Sequence, residues 1–177
     1  GTLKVILRGS ADADVAAVGE VAVFNYANLV AATHTVALVN TAGTTITATA
    51  HASTTTSSDT NTPTFAIGAT NLATATNLAS CLNANSLLTA SVTTDGALHV
   101  HSPGEGLNST SHLAATVTIT QVTAGSAGNG AITVTDPGDS GIETTQNLTG
   151  GETAITSFTT VNGQVLKIHP KYVLSTS

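Results

Sequence analysis

Threonine sets what this chain can fold into. About a fifth of the residues are Thr, and they recur at every second position beside small or aliphatic side chains, as in Thr45-Ile46-Thr47-Ala48-Thr49 and Val117-Thr118-Ile119-Thr120. A β-branched side chain is stiff at χ1 and suits a pleated, half-buried surface. Alternation of Thr with Ile, Val or Ala therefore predicts strands with one dry face and one wet but uncharged face. The hydrophobic share of 41 % excludes generic disorder. Much of that share is Ala, so the core must be assembled from small residues with few large anchors.

The chain reads as a single domain, 1–177, in three zones, mainly β: an antiparallel β-sandwich or barrel-like domain with one short helix. Residues 1–39 supply N-terminal strands around Val5-Ile6-Leu7, Val21-Ala22-Val23-Phe24 and Val36-Ala37-Leu38-Val39. Residues 40–151 form a Thr-rich β module. Within it the polar stretch Thr54 to Pro63 is expected to be a mobile, structureless connection. Leu72, Ala75, Leu78, Ala79 and Leu82 recur at the three-and-four spacing of one helix face, which predicts a helix over about 72–84. Thr74 or Thr70 can cap its start and Asn83 or Asn85 its end.

After the helix, Asp95-Gly96 predicts a hairpin between strands at Leu88–Val92 and Leu98–Val100. The cluster Gly125, Gly128 and Gly130 predicts a turn from which Ile132–Thr135 pairs back on the strand at Val117–Val122, with Asp136-Pro137-Gly138-Asp139 closing that hairpin. Residues 152–177 read as a C-terminal hairpin around Asn162-Gly163, followed by a tail at Tyr172-Val173-Leu174.

Charge is scarce and unevenly placed. Ten acids against four bases give a net charge of −6. The bases are Lys4 and Arg8 at one end and Lys167 and Lys171 at the other, with no Lys or Arg between Arg8 and Lys167. Nucleic-acid affinity comes largely from cations on phosphate, so no nucleic-acid partner is expected. Phosphate-bearing substrates are disfavoured for the same reason. No run of 18 apolar residues occurs, so no membrane span is expected, and Asp12, Asp14 and Glu20 interrupt any secretory apolar core. The chain contains no Met, which fits loss of an initiator before Gly1.

The groups that perform catalysis are few. His99 and His101 fall on one face of an expected strand, with His112 nearby, a conceivable zinc or nickel set lacking a fourth ligand at a suitable spacing. Asp136, Asp139 and Glu143 form a loose oxygen-rich loop without the acid spacing of a calcium hand. For both sets the ordinary reading is preferred, a polar outer strand and a turn, and no cofactor or metal is expected. Cys81 lies between Leu78 and Leu82 on the helix and reads as a small buried hydrophobe; a single cysteine cannot form an internal disulfide. Asn108-Ser109-Thr110 and Asn147-Leu148-Thr149 match the glycosylation pattern at a frequency that chance supplies in such a sequence. The chain is not expected to be an enzyme.

From Phe65 to Gly151 the order of features resembles a known module. A Phe-Ala-Ile-Gly strand precedes Ala75-Thr76-Asn77-Leu78-Ala79-Ser80-Cys81-Leu82-Asn83-Ala84, then Thr89-Ala90-Ser91-Val92, Val117-Thr118-Ile119-Thr120-Gln121, Gly125-Ser126-Ala127-Gly128-Asn129 and Leu148-Thr149-Gly150-Gly151. This is similar to a small-residue-rich β module that recurs in capsid decoration and tail proteins of tailed bacteriophages. There a short Ala-rich helix ending in Asn-Ala is followed by alternating strands, a Gly-x-Ala-Gly-Asn turn and a closing Thr-Gly-Gly. Cys81 stands where the pattern usually has Ala. The resemblance covers about half the chain and implies a structural virion role, on head or tail alike.

Together these features set the expectation: a non-enzymatic virion structural protein, a capsid decoration or cement protein on the outer surface of the head. Its partners would be the major capsid protein and further copies of itself in a symmetric lattice, possibly as trimers. Lys4, Arg8, Lys167 and Lys171 are the expected contact residues, and strands added across subunit edges are the expected mode of association. A tail tube or sheath-associated subunit is the first alternative. The second is a secreted adhesin-like β-domain binding glycans or host surfaces, for which Phe24, Tyr26 and Tyr172 are the available aromatics.

Overall fold

Alternating Thr and aliphatic residues need two sheets to bury their dry faces against each other, and that is the arrangement found. A computed structural model describes residues 6–8, 14–98, 113–139, 141–153 and 173–175. In chain order its elements are β1 (Ile6–Arg8), β2 (Val18–Val23), β3 (Thr35–Val39), β4 (Thr45–His51), β5 (Thr64–Ala66), α1 (Asn71–Asn83), β6 (Leu88–Leu98), β7 (Leu113–Gln121), β8 (Ile132–Thr135), β9 (Ile142–Thr149) and β10 (Val173–Ser175). The first sheet has the order β6-β7-β2-β9 and the second β5-β4-β3-β8. They pack face to face as a sandwich and do not close into a barrel.

The period-2 pattern explains which side chains meet. Val21, Val23, Val117 and Ile119 point inward from the first sheet, and Val36, Leu38, Ile46, Ala48, Ala50 and Phe65 from the second. Burying each larger aliphatic or aromatic side chain contributes about 1.5–3 kcal/mol, while the many Ala residues let the sheets approach closely. The helix α1 packs against β5, β6 and β7, so it fills one open seam of the sandwich with Ala75, Leu78, Ala79, Cys81 and Leu82. At the opposite seam β8 lies against β9. There Gly130 N–H donates to Leu148 O at 2.9 Å and Asn147 Oδ1 accepts from Ile132 N–H at 2.9 Å.

Several sequence expectations are corrected. The helix itself stands within one residue of the expected bounds, and of its two candidate N-caps Thr70 is the one used, its hydroxyl accepting from Ala73 N–H at 3.0 Å. Its C-cap is Ala84 in a right-handed conformation. Neither candidate asparagine is free for that task. Asn83 binds both backbone groups of Ala90 at 2.7 Å, and Asn85 donates to Thr60 O. Asp95-Gly96 makes no hairpin, because β6 continues through it beside β7. The extra residues are absorbed as an irregularity between the pairs Thr94↔Ala115 and Leu98↔Leu113.

Strand β8 does not return to β7, whose two sides are already taken by β6 and β2. It crosses to the second sheet instead and pairs with β3, burying Ile132 opposite Leu38. Asp136 to Asp139 consequently turns the chain between the two sheets. One pairing is parallel, β4 with β5, where an antiparallel arrangement is expected. The connection from 54 to 63 runs back beside β4 and makes that direction possible. It has no regular structure, yet it is tied down: Thr47 N–H donates to Asn61 O, Thr49 N–H to Pro63 O, and the Thr56 hydroxyl accepts from Thr64 N–H. Backbone groups that find partners this way are not free to move as a mobile loop would.

Near the ends, β1 and β10 pair antiparallel with Arg8 opposite Val173. The Asn162-Gly163 hairpin and the runs flanking it lie outside the described residues.

Candidate functional site

The residues that carry the sequence resemblance converge at one end of the sandwich. The segment Gly125-Ser126-Ala127-Gly128-Asn129 forms a single 3-10 turn over Ser126–Gly128. Gly125 has φ +124°, a conformation that L side chains rarely adopt. The Asn129 amide then acts as a piece of backbone: it donates to Gly151 O at 2.9 Å and accepts from Gly151 N–H at 2.8 Å. Only glycine fits at 151, because a Cβ there would stand 2.6 Å from Gly125 O and 2.9 Å from Asn129 Oδ1. The Thr153 hydroxyl accepts from Ser126 N–H at 3.0 Å.

This turn joins Val15 to the segment 151–153. Val15 and Glu152 form an antiparallel bridge, Val15 N–H donating to Glu152 O at 2.8 Å and Glu152 N–H to Val15 O at 3.0 Å. Gly125 N–H donates to the same Val15 carbonyl at 2.9 Å. The bridge sets Val15 beside Glu152, and nearer the two termini of the sequence β1 pairs with β10. All four bases of the chain lie in those two end segments, while all ten acids lie between Arg8 and Lys167.

A second polar cluster closes the other end of the seam between β8 and β9. His34 and Asp136 meet at 2.9 Å through Nε2 and Oδ1, with side chains only 2 % and 4 % exposed. Asp136 Oδ2 accepts from Gly141 N–H at 2.7 Å and Ile142 N–H at 2.9 Å. Burial alone pushes the Asp136 pKa up. The amides of Ile142 and Gly141 and the imidazole of His34 together outweigh burial and hold the carboxyl below its ordinary range. His34 Nδ1 lies 2.9 Å from Val30 N and 3.2 Å from Val30 O. A neutral ring protonated on Nε2 accepts from the Val30 amide and donates to Asp136; a charged ring donates at both ends. His34 Nδ1 and Asp136 Oδ2 hold backbone while His34 Nε2 and Asp136 Oδ1 hold each other, which makes the pair a clasp between the 30–34 loop and the β8–β9 turn.

The candidates named from sequence scatter accordingly. Asp136 is drawn inward by His34 and does not form an oxygen-ligand loop with Asp139 and Glu143. Among the described residues, no three His, Cys, Asp or Glu side chains gather as a metal set. His99, His101 and His112 lie outside the described residues, as do Lys4, Lys167, Lys171 and Tyr172; Arg8 is described only as backbone within β1. Cys81 is buried, and burial pushes its thiol up to about 12 against the opposing pull of backbone hydrogen bonds. Phe24 is 6 % exposed, in a small cluster with Ala22 and Ala114, and Tyr26 packs on the main core. Neither of these two forms an exposed aromatic patch. The His34–Asp136 pair escapes sequence reasoning because 102 residues separate its members, and no local spacing marks either one.

The edges of the sheets carry caps from this chain itself. Beyond β5, the hydroxyls of Thr55 and Thr56 accept from Ala66 N–H and Thr64 N–H. On β6, Asn83 occupies both outward backbone groups of Ala90. On β8, the Thr144 hydroxyl donates to Ile132 O. Short polar side chains do here what Lys does at edges in charge-rich proteins. Compared with family models, with curated proteins and with solved structures, the chain gives no match.

Proposed function

We propose that this chain is a non-enzymatic structural protein of a tailed-phage virion, a decoration or cement protein that binds the outer surface of the head shell. One observation carries the reading: the Val15↔Glu152 bridge sets side by side the two positions beyond which the sequence holds its bases, all four of them. A cationic end on an acidic body is suited to docking on an acidic shell, because opposite potentials steer and orient association. The module resemblance from Phe65 to Gly151 supports the same reading. The motif residues that carry it, Gly125, Asn129 and Gly151, surround the Val15↔Glu152 bridge.

In this reading Lys4, Arg8, Lys167 and Lys171 contact the shell. Exchanging all four for Gln should weaken binding to tailed-phage head shells lacking the protein, and should flatten its dependence on salt. Unchanged affinity and salt slope would refute the docking mode. The purified chain should remain small until shells are added. Spontaneous rings or stacked tubes would favour a tail-tube subunit instead.

A further inference from the structure

The outer face of the second sheet carries no ionisable acid or base except His51. Its residues follow from the register. Thr135, Thr35, Thr49 and Thr64 stand in one rank across four strands, Thr133, Ala37 and Thr47 in the next, and Val39 and Thr45 in a third. The nearest acids in sequence lie in flanking loops: Asp59, Asp139, and Asp136, which is folded inward on His34. The outer face of the first sheet differs, because the register places Glu20 opposite Gln146 and Glu143 opposite Ala22 on it. In a body that carries acids but no Lys or Arg, the Thr face is where two copies can meet without opposing carboxylates.

We infer that this Thr-ranked face is a self-association surface, on which a second copy of the chain packs sheet to sheet. Three arguments favour a second copy. Charge is the first: two like-charged bodies repel everywhere except across a neutral face. Chemistry is the second, since each Thr hydroxyl both donates and accepts, so two such faces satisfy each other, and the Thr methyls with Ala37 and the 46 % exposed Val39 supply dry contact. The third is the state of the edges. Asn83, Thr55, Thr56 and Thr144 already occupy outward backbone groups there, so strand addition at those points would first have to displace them.

Area sets the strength. Four strands about 4.8 Å apart, averaging about five residues at about 3.4 Å each, give a footprint of roughly 300 Å², so a pair would bury on the order of 700 Å². That is below the roughly 1,200 Å² of a stable dimer. The contact is therefore weak in dilute solution and forms where copies are held close together. It stands independently of the virion reading.

Sedimentation equilibrium of the full chain, from micromolar to millimolar concentration and at low and high salt, tests it. The mean mass should climb from the monomer towards the dimer only in the upper range. High salt should strengthen the association, because it screens two acidic bodies. Thr47→Lys with Thr133→Lys should weaken it at least ~10-fold by opposing like charges, in protein whose circular dichroism is native. Thr45→Lys, at the exposed rim, should weaken it in the same direction if the double variant does not fold. Thr118→Lys, on the other sheet, should leave it unchanged. A monomer at every concentration, an association that salt weakens, or an equal response to Thr118→Lys would each overturn the inference. Weakening by salt would instead indicate the cationic ends docking on a neighbouring body.

Discussion

His34 and Asp136 show at the residue scale how a chain with almost no charge secures its corners. One carboxylate, 4 % exposed, serves an imidazole and two backbone amides at once. Replacing Asp136 with Ala would leave those donors buried without acceptors and should cost about 3 kcal/mol in urea unfolding. The pH dependence has a definite sign. The folded pKa of Asp136 lies below its unfolded value, so its contribution is fully present above the ordinary carboxylate range and is lost as pH falls through the folded value. Unfolding titrations should therefore show an acid limb that Asp136→Asn flattens. Cys81 is the complementary case. Its thiol, pushed up to about 12 inside the helix seam, should react with a thiol reagent at neutral pH only as fast as the protein opens. Labelling that outpaces opening, judged by amide exchange of α1, would contradict that burial. Cys81 was readable from its neighbours Leu78 and Leu82. The His34–Asp136 contact was not, since its partners belong to different elements and meet only once both sheets are in place.

At the scale of elements, hydrophobic periodicity was legible where one strand or one helix face decides it. The alternation at Thr45–Ala50 and Val117–Gln121 and the Ala75–Leu82 spacing all correspond to observed elements, whereas Leu72, expected on the same helix face, stands 46 % exposed at the first turn. What local patterns misjudge is pairing. Asp95-Gly96 is a strong hairpin dipeptide, yet a nine-residue β7 gives β6 reason to run on. The Gly-rich turn sends β8 to the other sheet because β7 has no free side. Both outcomes depend on which edges are occupied, a property of the sheet and not of the dipeptide. The same turn gives an element-scale prediction. Gly151→Ala sets a Cβ against the Gly125 carbonyl and the Asn129 amide, and should cost about 1–3 kcal/mol. It should also strip hydrogen-exchange protection from Val15, Gly125 and Glu152 before the core strands respond. Uniform loss of protection would mean that the junction is not a separate clasp.

Across the whole molecule the ordering principle is segregation of charge. Acids are distributed along the sequence between Arg8 and Lys167, bases are kept to its two ends, and the Val15↔Glu152 bridge pairs two positions inside those ends. Thr accounts for much of this economy: it forms strands, wets their outer faces and, at Thr55, Thr56 and Thr144, caps edges. In the proposed reading the ends dock by opposite charge and the neutral face by the absence of charge. The central claim, a head-shell protein docked by its cationic ends, is tested most directly by electron microscopy of tailed-phage particles reconstituted with this chain and with the four-Gln variant. Regular density on the outer head surface, lost in the variant, is the expected result. Density confined to the tail, or head density unaffected by removing the four charges, would contradict it.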